Sequence, residues 1–168
     1  MTVTSMANTS SIKSGVVAGK ILQVVSTTKT STFSTTSTSY TDVTGLSASI
    51  TPSSTSNKIL VQVSVLVGAT STIGAFVTIT DGSDNNLIVP DSPGSRLPAI
   101  IRYNPDTNGF LPANFAFLHL PATTSSFTYK VRFRVTGNTG YINRSTIDSD
   151  SNLFARGVST ITLMEVAG

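Results

Sequence analysis

The strongest pattern in the sequence is the alternation of apolar with other residues in the segment KILVQVSVLVG, from Lys58 to Gly68. Successive side chains of a β-strand point to opposite faces, so every second residue shares a face. Five β-branched residues share one face of this segment: Ile59, Val61, Val63, Val65 and Val67. The other face includes Leu60 and Leu66 and is therefore also partly apolar. The pattern predicts a strand in the interior of a sheet, with a neighbour on each side.

Period-two alternation recurs along most of the chain, and no segment shows the period of an amphipathic helix. Further strands are predicted at residues 19–33, 46–50, 75–81, 86–89, 114–120, 126–135 and 159–166, with a short edge strand near 99–101. About eight such strands separated by Gly, Pro and Asn turns indicate an all-β fold. We predict an antiparallel β-sandwich of the jelly-roll type. An immunoglobulin-like sandwich is the alternative, although its Trp and Cys core residues are missing.

The tract STTKTSTFSTTSTSYT, from Ser26 to Thr41, raises the question of domain number because its composition resembles that of a linker. Its first half, however, continues an alternation that begins at Ile21, and threonine suits a pleated strand. We therefore predict a hairpin region within a single β-sandwich domain of residues 19–168. Residues 1–18 lack a strong period and are predicted to form an extended N-terminal arm.

The segment SFTYKVRFRV predicts a strand with one dry and one wet face. The apolar side holds Phe127, Tyr129, Val131, Phe133 and Val135. The opposite side holds a basic row of Lys130, Arg132 and Arg134. Such a row is either a solvated face or a contact with an acidic neighbour, such as another subunit or a glycan.

The residues that most enzymes use are scarce in this chain. It has no cysteine and one histidine, His119, which lies beside Phe115 and Phe117 in a predicted strand. A packed or interface position is expected for His119, and in a trimer these three residues could approach the symmetry axis. The eight acidic residues fall mostly in turns. We therefore predict no enzyme, no catalytic residue and no cofactor.

Two acidic turns place oxygen ligands at spacings found in calcium loops. They are DGSDNN, from Asp81 to Asn86, and DSDSN, from Asp148 to Asn152. Neither fits the twelve-residue helix-flanked loop, because Leu153 replaces its glycine and Ser159 its final glutamate in the second segment. Turn chemistry accounts for the first segment. No metal site is predicted.

Charge and hydropathy exclude several partners. Only 11% of the residues are charged, the net charge is +3, and the basic residues form no runs, so we expect no nucleic-acid partner. No apolar run is long enough to span a bilayer, and the N-terminus lacks a signal-peptide pattern. We expect no membrane partner and synthesis in a cytoplasm. A face with few charges costs little to desolvate, so the composition fits either a subunit of an assembly or a monomer with a Ser/Thr-rich surface.

Two segments resemble a recurring module of tailed bacteriophages, prominent in marine and cyanobacterial phages. They are GKILQVVSTTKTSTFSTTSTSYTDVTGLSASITPSSTSNKILVQVSV and the ending STITLMEV, with matches at residues 19–25, 39–59 and 160–166. The resemblance covers the two ends of the domain and implies a virion protein with a β-sandwich fold, acting as a homotrimer. It implies no catalytic residue.

The resemblance leaves two functions open. In the first, the protein is a head decoration or cement protein that binds the major capsid protein or another virion protein. The predicted contacts are Ile12, Lys13, Val16 and Val17 of the arm together with the basic row. In the second, it is a tail-fibre or tail knob that recognises a host surface glycan through polar loops and the irregular segment from Pro90 to Pro112, which we call the proline-rich excursion. The virion is the expected location in both, after synthesis in the cytoplasm of a bacterial host.

Overall fold

The computed structural model describes residues 19–70, 73–91, 94–103 and 109–168. In these ranges the chain forms strands and no helix. The strands are β1 (Ile21–Lys29), β2 (Phe33–Thr35), β3 (Thr41–Ile50), β4 (Lys58–Ala69), β5 (Ala75–Asp81), β6 (Ile101–Tyr103), β7 (Leu111–His119), β8 (Phe127–Val135), β9 (Gly140–Ile142) and β10 (Ser159–Val166).

The strands form two antiparallel sheets, each four positions wide. Sheet A has the order β1-β10-β4-β7, with short β9 continuing the line of β10 and β2 continuing that of β1. Sheet B has the order β3-β8-β5-β6. Apart from β5 and β6, the long strands alternate between the sheets along the chain. This is the connectivity of a jelly roll, so the prediction of an antiparallel jelly-roll-like sandwich is confirmed.

The core lies between the sheets and consists of the inward positions of their strands. On β4 the predicted apolar face is buried throughout, and β4 lies between β7 and β10 as its pattern predicted. On β8, Tyr129, Val131, Phe133 and Val135 are buried, while the basic residues alternate with them outward. Both faces predicted from alternation are therefore the observed ones.

Strand β5 is buried on both faces, which its sequence did not predict. Its outer residues Phe76, Thr78 and Thr80 are covered because the following segment folds back over sheet B. The backbone amides of Leu87 and Ile100 donate hydrogen bonds to the carbonyls of β5. The second strand predicted at residues 86–89 is wrong, since only Asn86 forms an isolated bridge, to Thr80.

The Ser/Thr tract is ordered as strands, but its predicted hairpin is wrong. The tract begins inside β1 and passes through β2 before reaching β3. Because β1 belongs to sheet A and β3 to sheet B, the tract crosses between the sheets instead of pairing with itself. The hydroxyl-rich segment is a crossover at the edge of the sandwich.

The crossover is held by the buried side chain of Asn143. Its Nδ2 donates to the carbonyls of Lys29 at 2.8 Å and Ser31 at 3.0 Å, and its Oδ1 accepts a 2.6 Å bond from the Ser159 hydroxyl. Asn143 has a φ of 64°, a left-handed conformation that asparagine tolerates better than most residues. The Asn143 side chain thus connects the end of β1, the segment between β1 and β2, and the start of β10.

Candidate functional site

The predicted basic row lies on the outer face of sheet B, and two of its members are paired with acids of their own chain. Lys130 Nζ lies 3.1 Å from Asp42 Oδ2 and also contacts Asp84. Arg132 Nε lies 2.9 Å from Asp42 Oδ1, and its Nη2 lies 3.3 Å from Asp84 Oδ2. Two cations and two carboxylates therefore form one network across β3, β8 and the turn after β5.

The ion pairs of this network shift the pKa values of Lys130 and Asp84. The hydrogen bond to Asp84 raises the pKa of Lys130, and the same bond lowers the pKa of Asp84. An acidic partner molecule would have to compete with Asp42 and Asp84 for these two cations. Contact between the basic row and another subunit or a glycan stays a prediction. Arg134 is the residue of the basic row that has no carboxylate partner among the described residues.

Arg134 belongs instead to a row of alternating aromatic and arginine side chains, Tyr40–Arg134–Phe76–Arg102, which we call the aromatic–arginine row. Phe76 is the direct cross-strand neighbour of Arg134 on β8 and of Arg102 on β6. The guanidinium of Arg134 lies 5.7 Å from the Tyr40 ring centroid and 5.8 Å from that of Phe76, and Arg102 lies 6.0 Å from Phe76. These are cation–π distances.

The row ends at a cavity of about 380 Å³. Its lining residues come from β5, β6 and the proline-rich excursion: Phe76, Ser95, Arg96, Leu97, Ala99 and Arg102. The excursion is fixed on both sides of Ala99, since the Tyr40 hydroxyl donates a 3.0 Å hydrogen bond to the Pro98 carbonyl and Ile100 N bonds to Val77 O. Sequence reasoning placed glycan recognition in this excursion but did not find the cavity, because β6 is only three residues long.

A second candidate surface is the outer face of sheet A. Its outward positions carry hydroxyl, amide and apolar side chains, and Lys58 at the start of β4 is the one charged residue among the outward positions of β1, β10, β4 and β7. One cross-strand line is wholly apolar: Val24, Met164, Leu60 and Leu118. We call this line the apolar row. Its ends are open to solvent, with Val24 56% and Leu118 51% exposed.

The predicted trimer-interface residues Phe115, Phe117 and His119 lie on the opposite face of β7 from Leu118. Phe115 and Phe117 are partly buried and pack against the core. His119 Nδ1 lies 2.9 Å from the Tyr129 hydroxyl, and its ring lies 5.3 Å from that of Phe127. Burial lowers the pKa of His119. An interface role for these three stays a prediction, and the exposed side chains of β7 are their neighbours in sequence.

In both acidic turns, a carboxylate accepts hydrogen bonds from groups of the same chain. Asp81 accepts backbone hydrogen bonds from Ser83 and Asn85, which is the turn chemistry predicted. Asp148 accepts a 2.8 Å hydrogen bond from Arg156 and lies 3.3 Å from Arg144. Among residues 19–70, 73–91, 94–103 and 109–168, no three His, Cys, Asp or Glu side chains group as metal ligands would.

The remaining predictions concern the arm. Ile12, Lys13, Val16 and Val17 lie outside the described residues, so the arm and its contacts stay predictions. The boundary of the single domain is likewise untested. In the described ranges, no helix is long and apolar enough to cross a membrane.

Sequence reasoning missed a buried acid, Glu165, which is 1% exposed at one end of the sandwich. Its carboxylate accepts hydrogen bonds from Asn57 Nδ2 and Gln23 Nε2, each at 2.6 Å, and from the amide and hydroxyl of Ser53, each at 2.7 Å. Burial acts to raise the pKa of Glu165, but these hydrogen bonds outweigh it and lower the pKa to about 2.

All four residues of this network belong to the segments that carry the phage resemblance. Gln23 lies in GKILQV, Ser53 and Asn57 lie in GLSASITPSSTSNKI, and Glu165 lies in TITLMEV. Their common role in the structure is to join β1, the turn before β4 and β10 at one end of the sandwich.

Comparison with known proteins adds no relative. No protein-family model matches the sequence, and no curated protein matches it significantly. The resemblance to the phage module therefore stays a prediction.

Proposed function

We propose that the protein is a non-enzymatic structural subunit of a phage virion, a homotrimeric decoration or cement protein that stabilises the head. The observation that carries the assembly part of this proposal is the apolar row on the outer face of sheet A. The occupant of that face is a second copy of the chain. The phage context is supported by the sequence resemblance alone.

The composition of the face favours contact between copies. Each chain carries a net charge of +3, so identical subunits repel one another weakly, and a contact surface with few charges adds no close pairs of like charges to that repulsion. The apolar row provides hydrophobic contact, and the hydroxyl and amide groups beside it can bond across an interface at low desolvation cost. A subunit that binds only the assembled shell stabilises that shell by its binding free energy.

Self-association is tested by sedimentation equilibrium of the purified protein and of the double variant Val24→Asp/Leu118→Asp. We expect a trimer for the parent and a folded monomer for the variant, because two carboxylates would be buried in the contact. Leu153→Asp is the matched control, since Leu153 is 83% exposed and belongs to the loop between β9 and β10, not to the apolar row. A parent that sediments as a monomer, or a double variant that stays trimeric, contradicts the proposed interface.

The head location is tested by electron microscopy of particles reconstituted with the purified protein. Deletion of residues 2–18 is expected to abolish binding to the head while leaving the trimer intact. Retention of head binding by the deletion would contradict the role of the arm. Density on the tail instead of the head would contradict the cement function.

A second function, receptor binding by a tail-fibre or tail knob, is favoured by one observation, the cavity at the end of the aromatic–arginine row. A pocket with apolar walls and a few polar groups suits a small ligand better than a capsid contact. Binding of the isolated protein to host cells would support this function, and its absence would favour the cement function.

A further inference from the structure

We propose that the cavity at the end of the aromatic–arginine row binds an acidic sugar, with Arg102 holding the carboxylate. An acidic sugar is a ligand class for the second function, on which the proposal rests, and its binding does not depend on the assembly of sheet A. All of the residues involved belong to one chain.

The cavity presents an unpaired positive charge. Arg102 is exposed, and none of the described residues forms an ion pair with it. Its guanidinium carbon lies over the Phe76 ring at 6.0 Å from the centroid, at the long end of the cation–π range. The edge of a guanidinium matches a carboxylate in two parallel hydrogen bonds. Arg96 also lines the cavity, and Arg134, whose guanidinium lies 5.8 Å from the Phe76 ring, adds to the positive potential nearby.

The walls of the cavity are largely apolar. Leu97, Ala99 and Phe76 form its sides, and Leu97 is 42% exposed at the opening. The volume of about 380 Å³ lies within the range of roughly 300–1,000 Å³ found for small-molecule sites. A ring with an apolar face and a carboxylate at its edge fits both the walls and the charge, and this is the chemistry of a uronic acid. A neutral sugar would leave Arg102 without a partner.

Gly74 makes room for the aromatic–arginine row. A Cβ at this position would lie 2.7 Å from Cε2 of Phe76 and 3.4 Å from Nε of Arg102. Any larger residue would displace the ring that supports the guanidinium. Space for the Phe76–Arg102 pair therefore depends on a residue outside the cavity.

The inference is tested by titrating the purified protein with methyl glucuronide and following backbone amide shifts by NMR. We expect a dissociation constant of roughly 1 mM, as is typical of one charged contact and a small apolar one. Arg102→Gln should weaken binding at least about tenfold. Leu97→Ser should weaken it severalfold. Arg156→Gln removes the same charge from a distant surface and should leave binding unchanged.

Several results would overturn the inference. One is equal binding of methyl glucoside, which lacks the carboxylate. Another is equal binding of a glutamate-containing tripeptide, which would show that the cavity recognises acidic peptides and not acidic sugars in particular. Loss of binding in Val24→Asp/Leu118→Asp would show that the site is not contained in one chain. Binding of host cells without binding of methyl glucuronide would overturn this inference and leave the receptor function standing.

Discussion

Glu165 accepts a 2.6 Å hydrogen bond from the side-chain amide of Asn57, although 108 residues separate the two in sequence. Ser53 and Gln23 donate to the same carboxylate, so β10, β1 and the turn before β4 meet at one buried charge. A buried carboxylate is stable only where donors surround it. Here every donor comes from an element that the fold must bring to the same end of the sandwich.

Replacement of Glu165 by glutamine should destabilise the protein by about 2–4 kcal/mol, since charge-assisted bonds are lost and a donor is placed among donors. The free energy of unfolding from urea denaturation measures the effect. Asp150→Asn is the control, because Asp150 is exposed, and it should change stability by less than about 0.5 kcal/mol. Equal effects of the two substitutions would contradict the structural role of the network.

Stability should also depend on pH through Glu165. Its pKa in the folded protein is about 2, below the ordinary value of 4.5. The unfolded chain therefore takes up the proton first as the pH falls, and the stabilisation is present above pH 4.5 and lost between about 4.5 and 2. The difference in unfolding free energy between the parent and Glu165→Gln should shrink across that window. A difference that stays constant from pH 6 to pH 2 would contradict the assignment.

Asn143 allows its hydrogen bonds and its backbone conformation to be tested separately. Asn143→Gly keeps the φ of 64° accessible but removes the bonds to Lys29, Ser31 and Ser159, and should cost about 2–4 kcal/mol. Asn143→Ala removes the same bonds and adds left-handed strain, so it should be less stable than the glycine variant by about 1 kcal/mol. If thermal denaturation shows that Asn143→Ala is as stable as Asn143→Gly or more stable, the predicted cost of left-handed strain is contradicted.

Gly68 is predicted to be intolerant of a side chain. A Cβ there would lie 2.4 Å from the backbone oxygen of Arg144, which has little freedom to move. Gly68→Ala should therefore cost about 1–3 kcal/mol. A Cβ at Gly137 would meet nothing within 4 Å, so Gly137→Ala should change the unfolding free energy by less than about 0.5 kcal/mol. Similar costs for both substitutions would contradict the steric reason given for Gly68.

Alternation predicted the faces of β4 and β8 because each strand has one face in the core, and burial imposes the period of the pleat on the sequence. The same rule could not predict the burial of Phe76 and Thr78 on β5. Their cover comes from residues of the excursion, whose irregular backbone has no period. The hairpin prediction for the Ser/Thr tract failed for a related reason, since alternation defines a strand but not the sheet to which it belongs.

The candidate sites were only partly predictable. The outward position of Lys130, Arg132 and Arg134 followed from the period, whereas their partners did not, because Asp42 and Asp84 reach them across neighbouring strands. Glu165 is the only glutamate of the sequence, and nothing in its local pattern predicts that it is buried. Its hydrogen-bond donors come from two distant segments, β1 and the turn before β4, and a local sequence pattern does not predict contacts between distant segments.

The position of β10 has a consequence for biosynthesis. β10 lies between β1 and β4, so the last of the described strands in chain order occupies the centre of a sheet whose other strands are synthesised before it. Until residue 166 has emerged, β1 lacks its partner and the edge of β4 stays unpaired. Unpaired edges of this kind are the usual starting points of misassembly. The nascent chain must therefore keep the place between β1 and β4 open until β10 has been made, and sheet A cannot close before then.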